Sequence, residues 1–502
     1  MSTPTTPRQP GAVENRPLVE MARIALPTVA TMTSYTLMTF VDKWLVSHLG
    51  PDYVGAHGNG GLAAWLPISL AHGSLMVVNT FVAQNLGAGR PERGPAYCWN
   101  GVWFSIAYWL ALLVPLALAL PWIFGRLAAP ADGSMGMDPA QARLAATYGS
   151  ILLHGAGLNL TTRCITQFFF GMHRPGVVLA AGVAANLLNV YLSAVLVFGD
   201  GPPIPALGWL GAIAHATASA LHIPPLGIAG SAIGTVIATG VELAIPLAVF
   251  LGPGCHALYR TRSAWRPSRA HLRDLLRLGT PAGVMFANEM VCWSFFMVYL
   301  VSRFGRLHAA AGWIAHQYMA LSFMPAVGIS VAVTALVGRY QGMGRPDLAS
   351  ARAWLGVRIA AVYMGVCGAF FVIFPRALLS LFIADDTPAA DVAELVRLGS
   401  AMLLATATFQ LFDAVAMVIS GALRGAGDTL IPGVATVVCA WTIIVGGGFL
   451  MVRLFPGLQS VGAWIAVAAY ITVLCAILGG RFLSGKWRHI RLVEAATPAR
   501  SA

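Results

Sequence analysis

The stretch ISGALRGAGDTLIP, residues 419–432, joins two long apolar runs through a short polar turn, and Asp413 precedes it within the first run. The hydrocarbon region of a bilayer tolerates polar or irregular backbone only where it is buried in protein or lines a cavity. The turn therefore predicts two membrane helices that are joined by a hinge, where helices pivot or line a pathway. The hinge residues are Arg424, Gly425, Gly427 and Asp428.

The composition of the whole chain agrees with this interpretation. Of the 502 residues, 57% are hydrophobic and only 10% are charged, which excludes an ordinary soluble domain. A helix needs about 20 mainly apolar residues to cross a hydrocarbon core of ~30 Å. The sequence therefore predicts an all-α membrane protein with twelve transmembrane helices. Their apolar windows are 23–48, 61–86, 101–124, 144–168, 175–199, 226–252, 278–302, 309–337, 354–376, 396–421, 430–452 and 457–480.

The net charge of +12 is distributed as in a membrane protein, which argues against a nucleic-acid partner. With the N-terminus inside, 23 of the 31 Lys and Arg fall on cytoplasmic segments and seven on outer loops, and Lys43 is assigned as the only one within a span. This asymmetry follows the positive-inside rule. It predicts a protein of the plasma (inner) membrane with both termini cytoplasmic and a basic loop that contacts the lipid bilayer.

Two pairs of strings repeat at an offset near 255. RIALPTVA (23–30) matches RLGTPAGV (277–284), and VAQNLGAGRPE (82–92) matches VGRYQGMGRPD (337–347). Six helices per half give both halves the same orientation, so they are expected to form two pseudo-symmetric six-helix lobes. The predicted parts are a disordered tail 1–17, a first lobe 18–252 with a Pro-rich outer-face insertion 201–225, a basic linker 253–277, a second lobe 278–484 and a tail 485–502.

Four acids lie within the apolar windows: Asp42, Glu242, Glu289 and Asp413. Carboxylates at membrane depth are costly and mark candidate functional sites. A helical rise of about 1.5 Å per residue places Glu289 and Asp413 at a similar depth near the middle, and Asp42 near the outer end. Because burial favours the neutral form, this pair is expected to hold protons or a small cation. The alternative is that an acid caps a kink or pairs with a buried donor, which is the favoured interpretation of Glu242.

Six matching strings, in the right order, give the chain a resemblance to the multidrug and toxic compound extrusion (MATE) family, over roughly residues 20–485. Within that family it resembles the NorM-like bacterial branch. The matching elements are FVDKWLVSHLG (40–50), FVAQNLGAG (81–89), Asn189 with Ser193, the stretch 281–289, AHQYMALSFMP (315–325) and FDAVAMVISGALRGAGDT (412–429).

The resemblance implies ion-coupling acids at Asp42 in the first lobe and at Glu289 and Asp413 in the second. The latter two would also be the ligands of a Na⁺ ion if sodium couples. Further polar candidates are Asn189 and Ser193 beside Asp42, and Gln84 and Gln317, which would line the cavities or bridge helices.

Three positions depart from the family pattern. Lys43 follows Asp42 and is expected to point outward, since adjacent helical positions do not face each other. Ser193 stands where relatives carry Asn or Asp, which weakens the expected first-lobe site. Phe409, one turn before Asp413, replaces a Tyr; it removes a hydroxyl ligand but keeps an aromatic face for a substrate cation.

The resemblance implies a secondary antiporter, expected to act as a monomer, that exports cationic amphiphilic drugs or toxic compounds in exchange for Na⁺ or H⁺. No GxxxxGK[ST] loop is present, so no nucleotide cofactor is expected. One alternative is a flippase for lipid-linked precursors, disfavoured because acids outnumber basic residues in the spans. The other is an intramembrane aspartyl protease, suggested by GxGD at 425–428. Because that Asp lies in a hinge, an enzyme is not expected.

Overall fold

The computed structural model describes residues 16–128, 137–201, 207–382 and 388–493, which form helices and no β-strand. Twelve long helices dominate these ranges. They are α1 (Pro17–Ser47), α2 (Asp52–Gly87), α3 (Pro91–Leu127), α4 (Pro139–Gly171), α5 (Pro175–Phe198), α6 (Ile228–Leu251), α7 (Arg269–Phe304), α8 (Arg306–Gly342), α9 (Pro346–Ile373), α10 (Ala389–Ala426), α11 (Leu430–Leu454) and α12 (Pro456–Leu483).

Eleven of these helices are long and apolar enough to cross a membrane by length and composition. The twelfth, α4, has 33 residues, but polar side chains such as Arg163 lower its hydropathy. It packs between α2, α3 and α6, where those side chains meet protein. The predicted all-α membrane fold with twelve helices is confirmed.

The helices alternate in direction, so the first and last described residues, 16 and 493, lie at one end of the bundle, called here the terminal face. The insertion between α5 and α6 lies at the opposite end, where its helix is Gly208–Leu221. Residues 1–15, 202–206 and 494–502 lie outside the described ranges, so the predicted N-terminal tail stays a prediction, as do parts of the insertion and of the C-terminal tail.

The basic linker is shorter than predicted because α7 begins at Arg269 instead of residue 278. The hydroxyl of Ser268 accepts a hydrogen bond from the backbone N–H of His271 and so caps the helix. The arginines that follow are spaced four residues apart and share one helical face. The rest of the linker contains the short helix Pro253–Tyr259.

The packing of the helices repeats between the two halves. Helix α1 packs against α5 of its own half and α8 of the other, and α7 packs against α11 of its own half and α2 of the other. The contacts α2–α4, α4–α6 and α5–α6 recur as α8–α10, α10–α12 and α11–α12. The two halves are therefore six-helix lobes related by a pseudo-twofold axis, as the repeated strings predict.

Each lobe has its own hydrophobic core, and the lobes exchange the starts of two equivalent helices. Met21 and Ile24 of α1 belong to the core of the second lobe. Leu275 and Ala282 of α7 belong to the core of the first. The starts of α1 and α7 therefore connect the two lobes by packing into the opposite core near the terminal face.

The second pair of repeated strings forms the contact between α2 and α8 at the terminal face. A Cβ atom added at Gly87 would lie 1.9 Å from the carbonyl oxygen of Arg339, and one added at Gly342 would lie 2.1 Å from that of Gln84. The backbones thus approach reciprocally at positions 255 apart, where only glycine fits. The turns that follow need φ of +72° and +70°, at Gly89 and Gly344.

Candidate functional site

In the first lobe, Asp42 on α1 is 4% exposed and is surrounded by polar side chains. Ser193 Oγ on α5 donates a hydrogen bond to its Oδ1 at 3.2 Å. Thr235 Oγ1 on α6 lies 3.4 Å from its Oδ2, and Asn189 Nδ2 on α5 donates a hydrogen bond to Thr235 Oγ1 at 3.2 Å. The structure thus brings Asp42, Asn189 and Ser193 together. Carboxylate, hydroxyl and amide oxygens can hold a small hard cation, or Asp42 can carry a proton.

Close packing of α5 on α6 makes this arrangement possible. A Cβ atom at Gly230 would lie 2.4 Å from the carbonyl oxygen of Leu196, and one at Gly234 would lie 3.1 Å from Ser193 Oγ. Because glycines let the two helices approach, Thr235 reaches Asp42 alongside Ser193.

Several polar groups around this acid are not among the residues that the sequence predicts. Thr235 is one, and Tyr148 is another: its hydroxyl lies 2.9 Å from His57 Nε2 and within electrostatic range of Asp42. A signal was present in α6, where polar residues recur with helical spacing and share one face. They are Ser231, Thr235, Thr239 and Glu242.

The polar face of α6 continues toward the terminal face at Glu242. The hydroxyl of Tyr35 donates a hydrogen bond to Glu242 Oε1, and the guanidinium of Arg163 lies within electrostatic range of both side chains. Next to Tyr35 on α1, Ser34 Oγ accepts a hydrogen bond from Asn186 Nδ2 of α5. Glu242 is therefore paired with a buried donor, which is the favoured interpretation of the sequence.

In the second lobe, Glu289 on α7 and Asp413 on α10 lie within electrostatic range of each other, and Tyr470 on α12 lies within range of both. Both acids are half-buried, and neither carboxyl group has a hydrogen-bond partner among the described residues. Over the same residues no three His, Cys, Asp or Glu side chains gather. Two carboxyl groups and a phenol can take up a proton or contribute oxygens to a cation.

The other predicted residues of the second lobe and the interface occupy different environments. Phe409 is fully buried in the second core, so its ring does not face a cavity in this conformation. Gln84 is buried, and its Nε2 donates to the carbonyl oxygen of Gly425 at 3.0 Å. It therefore bridges α2 and α10. Gln317 is exposed on α8.

The exposed Lys43 lies within electrostatic range of His57 and of His316 on α8. Because His316 belongs to the second lobe, the charge of Lys43 acts at the interface between the lobes. The side chain of Lys43 is exposed, and the expectation that it points outward stays a prediction.

The hinge after α10 is an ordered helix end that docks on the first lobe. Gly427 closes the helix with φ +96°, in the left-handed region that suits glycine. Asp428 accepts a hydrogen bond from Arg481 Nε on α12 at 2.6 Å, so it is paired. The carbonyl oxygen of Arg424 accepts a hydrogen bond from Thr80 Oγ1 at 2.9 Å.

The structure corrects the assignment of Lys43 as the only basic residue within a span. Arg163 lies inside α4, and Arg424 lies inside α10, which continues to Ala426 beyond the predicted window. Arg424 is 8% exposed. The sequence places both with the cytoplasmic segments, because a single charge near a helix end is indistinguishable from a loop charge in the sequence.

Comparison with known proteins supports the same fold and class. The family model described as MatE matches residues 27–195 and 281–449. A protein of Mesorhizobium japonicum named probable multidrug resistance protein NorM is 28% identical over 92% of each chain. One of the same name from Pseudomonas syringae pv. tomato is 27% identical over 94% of this chain and 95% of that protein.

Two solved structures share the fold. One is described as MATE in complex with MaL6. It matches with a TM-score of 0.81 at 20% identity, and the match covers 96% of this chain and 100% of the solved chain. A MOP superfamily transporter from Pyrococcus furiosus, described as having reverse polarity of its binding pocket, has a TM-score of 0.79 at 19% identity and covers 97% and 100%. At these identities the likeness establishes the fold alone.

The fold and these matches define a multi-pass membrane transporter, of a multidrug type, with small-molecule substrates. The family model covers more than half of the chain, so the chain belongs to the MatE family. This confirms the resemblance found in the sequence, including that to NorM proteins. The relatives point to a transporter rather than an enzyme.

Proposed function

We propose that the protein is a secondary antiporter that exports cationic amphiphilic compounds in exchange for inward Na⁺ or H⁺. The observation that carries the proposal is that each lobe holds its own acid site. Asp42 has hydroxyl and amide partners, and Glu289 with Asp413 lies beside a phenol. The NorM names of the relatives support the choice of multidrug compounds.

In this mechanism the two lobes rock between two arrangements, and ion occupancy of the acids favours one of them. A ligand shifts such an equilibrium only by its difference in affinity for the two states. A cation or proton at Glu289 and Asp413 would favour one arrangement, and the exported cation would compete with it for the carboxylates. The terminal face would be cytoplasmic, because most Lys and Arg cluster there.

The test is uptake of a fluorescent cation into proteoliposomes, with Na⁺ and pH gradients imposed separately. Asp413→Asn and Glu289→Gln keep side-chain shape but remove the charge, so each should abolish the gradient-driven part of uptake. Glu394→Gln, on the same helix as Asp413 but paired with Arg397 at the surface, is the control. Wild-type rates in both acid variants would contradict the second-lobe site.

One observation favours a second candidate, a flippase for lipid-linked precursors. Such a protein needs basic residues inside to hold a pyrophosphate, and Arg163 and Arg424 are basic residues inside the helices. Movement of a fluorescent lipid-linked pyrophosphate across the same liposomes would distinguish the two functions. We expect no such movement and an ion-dependent uptake of the cation.

A further inference from the structure

The start of α7 carries three arginines that the proposed transport cycle does not use. Arg269, Arg273 and Arg277, called here the arginine row, are exposed and lie four residues apart on one face of the helix. Within the part of the chain that the structure describes, none of the three forms an ion pair. The row lines a shallow groove of about 660 Å³, whose other lining residues are Leu272, Leu276, Thr280 and Pro281. The groove therefore combines positive charges with apolar side chains.

The other side of the same segment is occupied by protein. Leu275 is buried in the core of the first lobe, and the ring of His271 contacts that of Tyr97 on α3 edge-on, with centroids 4.7 Å apart. Asp274 lies toward that side, within electrostatic range of Tyr97 and His271, and does not line the groove. Like charges four residues apart on a helix repel each other, so the arginine row favours an anionic partner from outside the protein.

The pseudo-symmetric helix α1 shows that the fold does not require the arginine row. The repeated strings RIALPTVA and RLGTPAGV align Arg23 with Arg277. Four residues earlier, Val19 of α1 stands in the place of Arg273, although Glu20 beside it matches the acid Asp274. The acid on the packed side is thus present in both lobes, whereas the row belongs to α7. A row of charges that helix packing does not need is a candidate for binding.

The arginine row lies at the level of the lipid headgroups at the terminal face. The apolar window of α7 begins at residue 278, so a rise of about 1.5 Å per residue places Arg277 at its edge and Arg269 about 12 Å further out. The headgroup region extends about 5–8 Å beyond the hydrocarbon core, and long arginine side chains reach along it. Trp103 of α3, whose Nε1 donates to the carbonyl oxygen of Trp265 at 2.7 Å, holds the preceding linker there. Tryptophans are enriched at membrane–water interfaces.

We propose that the groove on α7 binds the phosphate headgroup of an anionic phospholipid, in the leaflet at the terminal face. Guanidinium groups match a phosphate and form charge-assisted hydrogen bonds with it. The acyl chains would follow Leu276 and Pro281 toward the next turn of α7, where Val284 is 43% exposed. A second copy of the chain does not fit this face, because two arginine rows would repel each other. Since the other side of the segment packs into the first lobe, the bound lipid would hold the start of α7 on that lobe.

The experiment measures the Kd of a pyrene-labelled phosphatidylglycerol for the purified full-length protein in a neutral detergent, by energy transfer from tryptophan. Phosphatidylcholine with the same label is the comparison. Each arginine near an anionic lipid contributes about fivefold in affinity, so Arg273→Gln should raise the Kd for phosphatidylglycerol about fivefold. The combined change of the whole row to Gln should raise it on the order of a hundredfold and change that of phosphatidylcholine less than about twofold. Arg23→Gln, at the exposed arginine of α1, is the control and should change neither.

Further arms separate the possible explanations. Change of the whole row to Lys keeps the charges and should restore most of the preference for phosphatidylglycerol. Equal affinity of wild type for the two lipids, or an equal loss in Arg23→Gln and Arg273→Gln, would overturn the proposal. Displacement of the lipid by millimolar inorganic phosphate would also overturn it, because the ligand would then be a free anion. If the combined variant does not fold, Arg273→Gln alone decides the outcome. Binding is measured without a gradient, so the result stands or falls independently of the proposed export.

Discussion

At the scale of single residues, Asp42 shows how a carboxylate is held inside the first lobe. Burial removes the water molecules that would hydrate the carboxylate. Hydrogen bonds from side chains of α5 and α6 take the place of that hydration. The sequence predicted a weak site because Ser193 replaces Asn or Asp. Thr235 supplies a second hydroxyl, so the set of partners is larger than the sequence indicated.

Removal of that hydroxyl tests the first-lobe site. Thr235→Val keeps the shape of the side chain but deletes a hydroxyl that lies 3.4 Å from Asp42 Oδ2 and can donate either to it or to the carbonyl oxygen of Ser231 at 3.0 Å. A hydrogen bond to a charged group contributes about 1.5–3 kcal/mol, so the concentration of coupling ion at half-maximal export should change about tenfold or more. Thr408→Val, at an exposed threonine whose hydroxyl bonds its own helix, should have no effect. An unchanged ion dependence in Thr235→Val would show that this hydroxyl does not serve the site.

The acids of the candidate site could be predicted from the sequence, but most of their partners could not. Charged residues are so rare in the apolar windows that Asp42, Glu289 and Asp413 are conspicuous. Thr235 and Tyr470 resemble the many hydroxyl residues that merely bond their own helix or fill space. Only contact between distant helices distinguishes them, and that contact depends on packing.

At the scale of helices, the reciprocal contact between α2 and α8 controls how closely the lobes meet at the terminal face. Gly87→Ala would place a methyl group 1.9 Å from a carbonyl oxygen of α8, so the two backbones must separate. We expect spin labels at Glu92 and Asp347 to report a longer distance and a larger open population in this variant. Gly479→Ala is the control, since a Cβ atom there meets nothing within 4 Å. An unaltered distance distribution would contradict a role for this contact in closure.

The start of the C-terminal tail is a structural part of the second lobe. Trp487 is fully buried and stacks on Phe482 with ring centroids 4.9 Å apart. Gln341 Nε2 of α8 donates to the backbone carbonyl of Arg488 at 2.9 Å. Leu492 lies against Gly427, so the segment also covers the end of α10.

Trp487→Ala should therefore destabilise the protein. Deletion of a buried aromatic side chain costs about 3–5 kcal/mol, which should appear as a clear drop in the unfolding temperature of the purified protein. Trp209→Ala, at a tryptophan that is 76% exposed on the insertion helix, should leave that temperature nearly unchanged. Similar melting of both variants would mean that the tail does not stabilise the lobe.

The type and order of the helices could be predicted from apolar windows, but their lengths could not. Helix α7 begins nine residues before its window because Ser268 caps an arginine-rich turn that is helical without being apolar. Arg163 of α4 lies inside the bundle because Tyr35 of α1 and Glu242 of α6 are within electrostatic range of its guanidinium group. A window of mean hydropathy registers neither effect.

At the scale of the whole molecule, a buried ion pair ties α1 to the second lobe. Glu20 accepts a hydrogen bond from Arg352 Nε at 2.7 Å and from the hydroxyl of Tyr340 at 2.9 Å. Glu20 and Arg352 are 5% and 4% exposed. The acid is on the first lobe and its partners are on α8 and α9. The pair therefore favours the arrangement in which the lobes meet at the terminal face.

Glu20→Gln should weaken that arrangement. Removal of one charge from a buried ion pair costs about 3–5 kcal/mol. We expect the same pair of spin labels to report more of the open state, together with slower export. The exposed pair between Arg397 and Glu394 gives a control, since Glu394→Gln breaks an ion pair within one lobe and should not move the equilibrium. Equal label distances in Glu20→Gln and wild type would contradict this role.

The central claim is that ion entry and compound export belong to one cycle, and the most direct test runs the cycle in reverse. Proteoliposomes receive a gradient of a cationic compound and no ion gradient, and internal Na⁺ and pH are recorded. Coupling is reciprocal, so movement of the compound should drive Na⁺ or H⁺ in the opposite direction in wild type and not in Asp413→Asn. If the compound crosses through the wild-type protein while both internal Na⁺ and pH stay constant, the antiport mechanism is wrong.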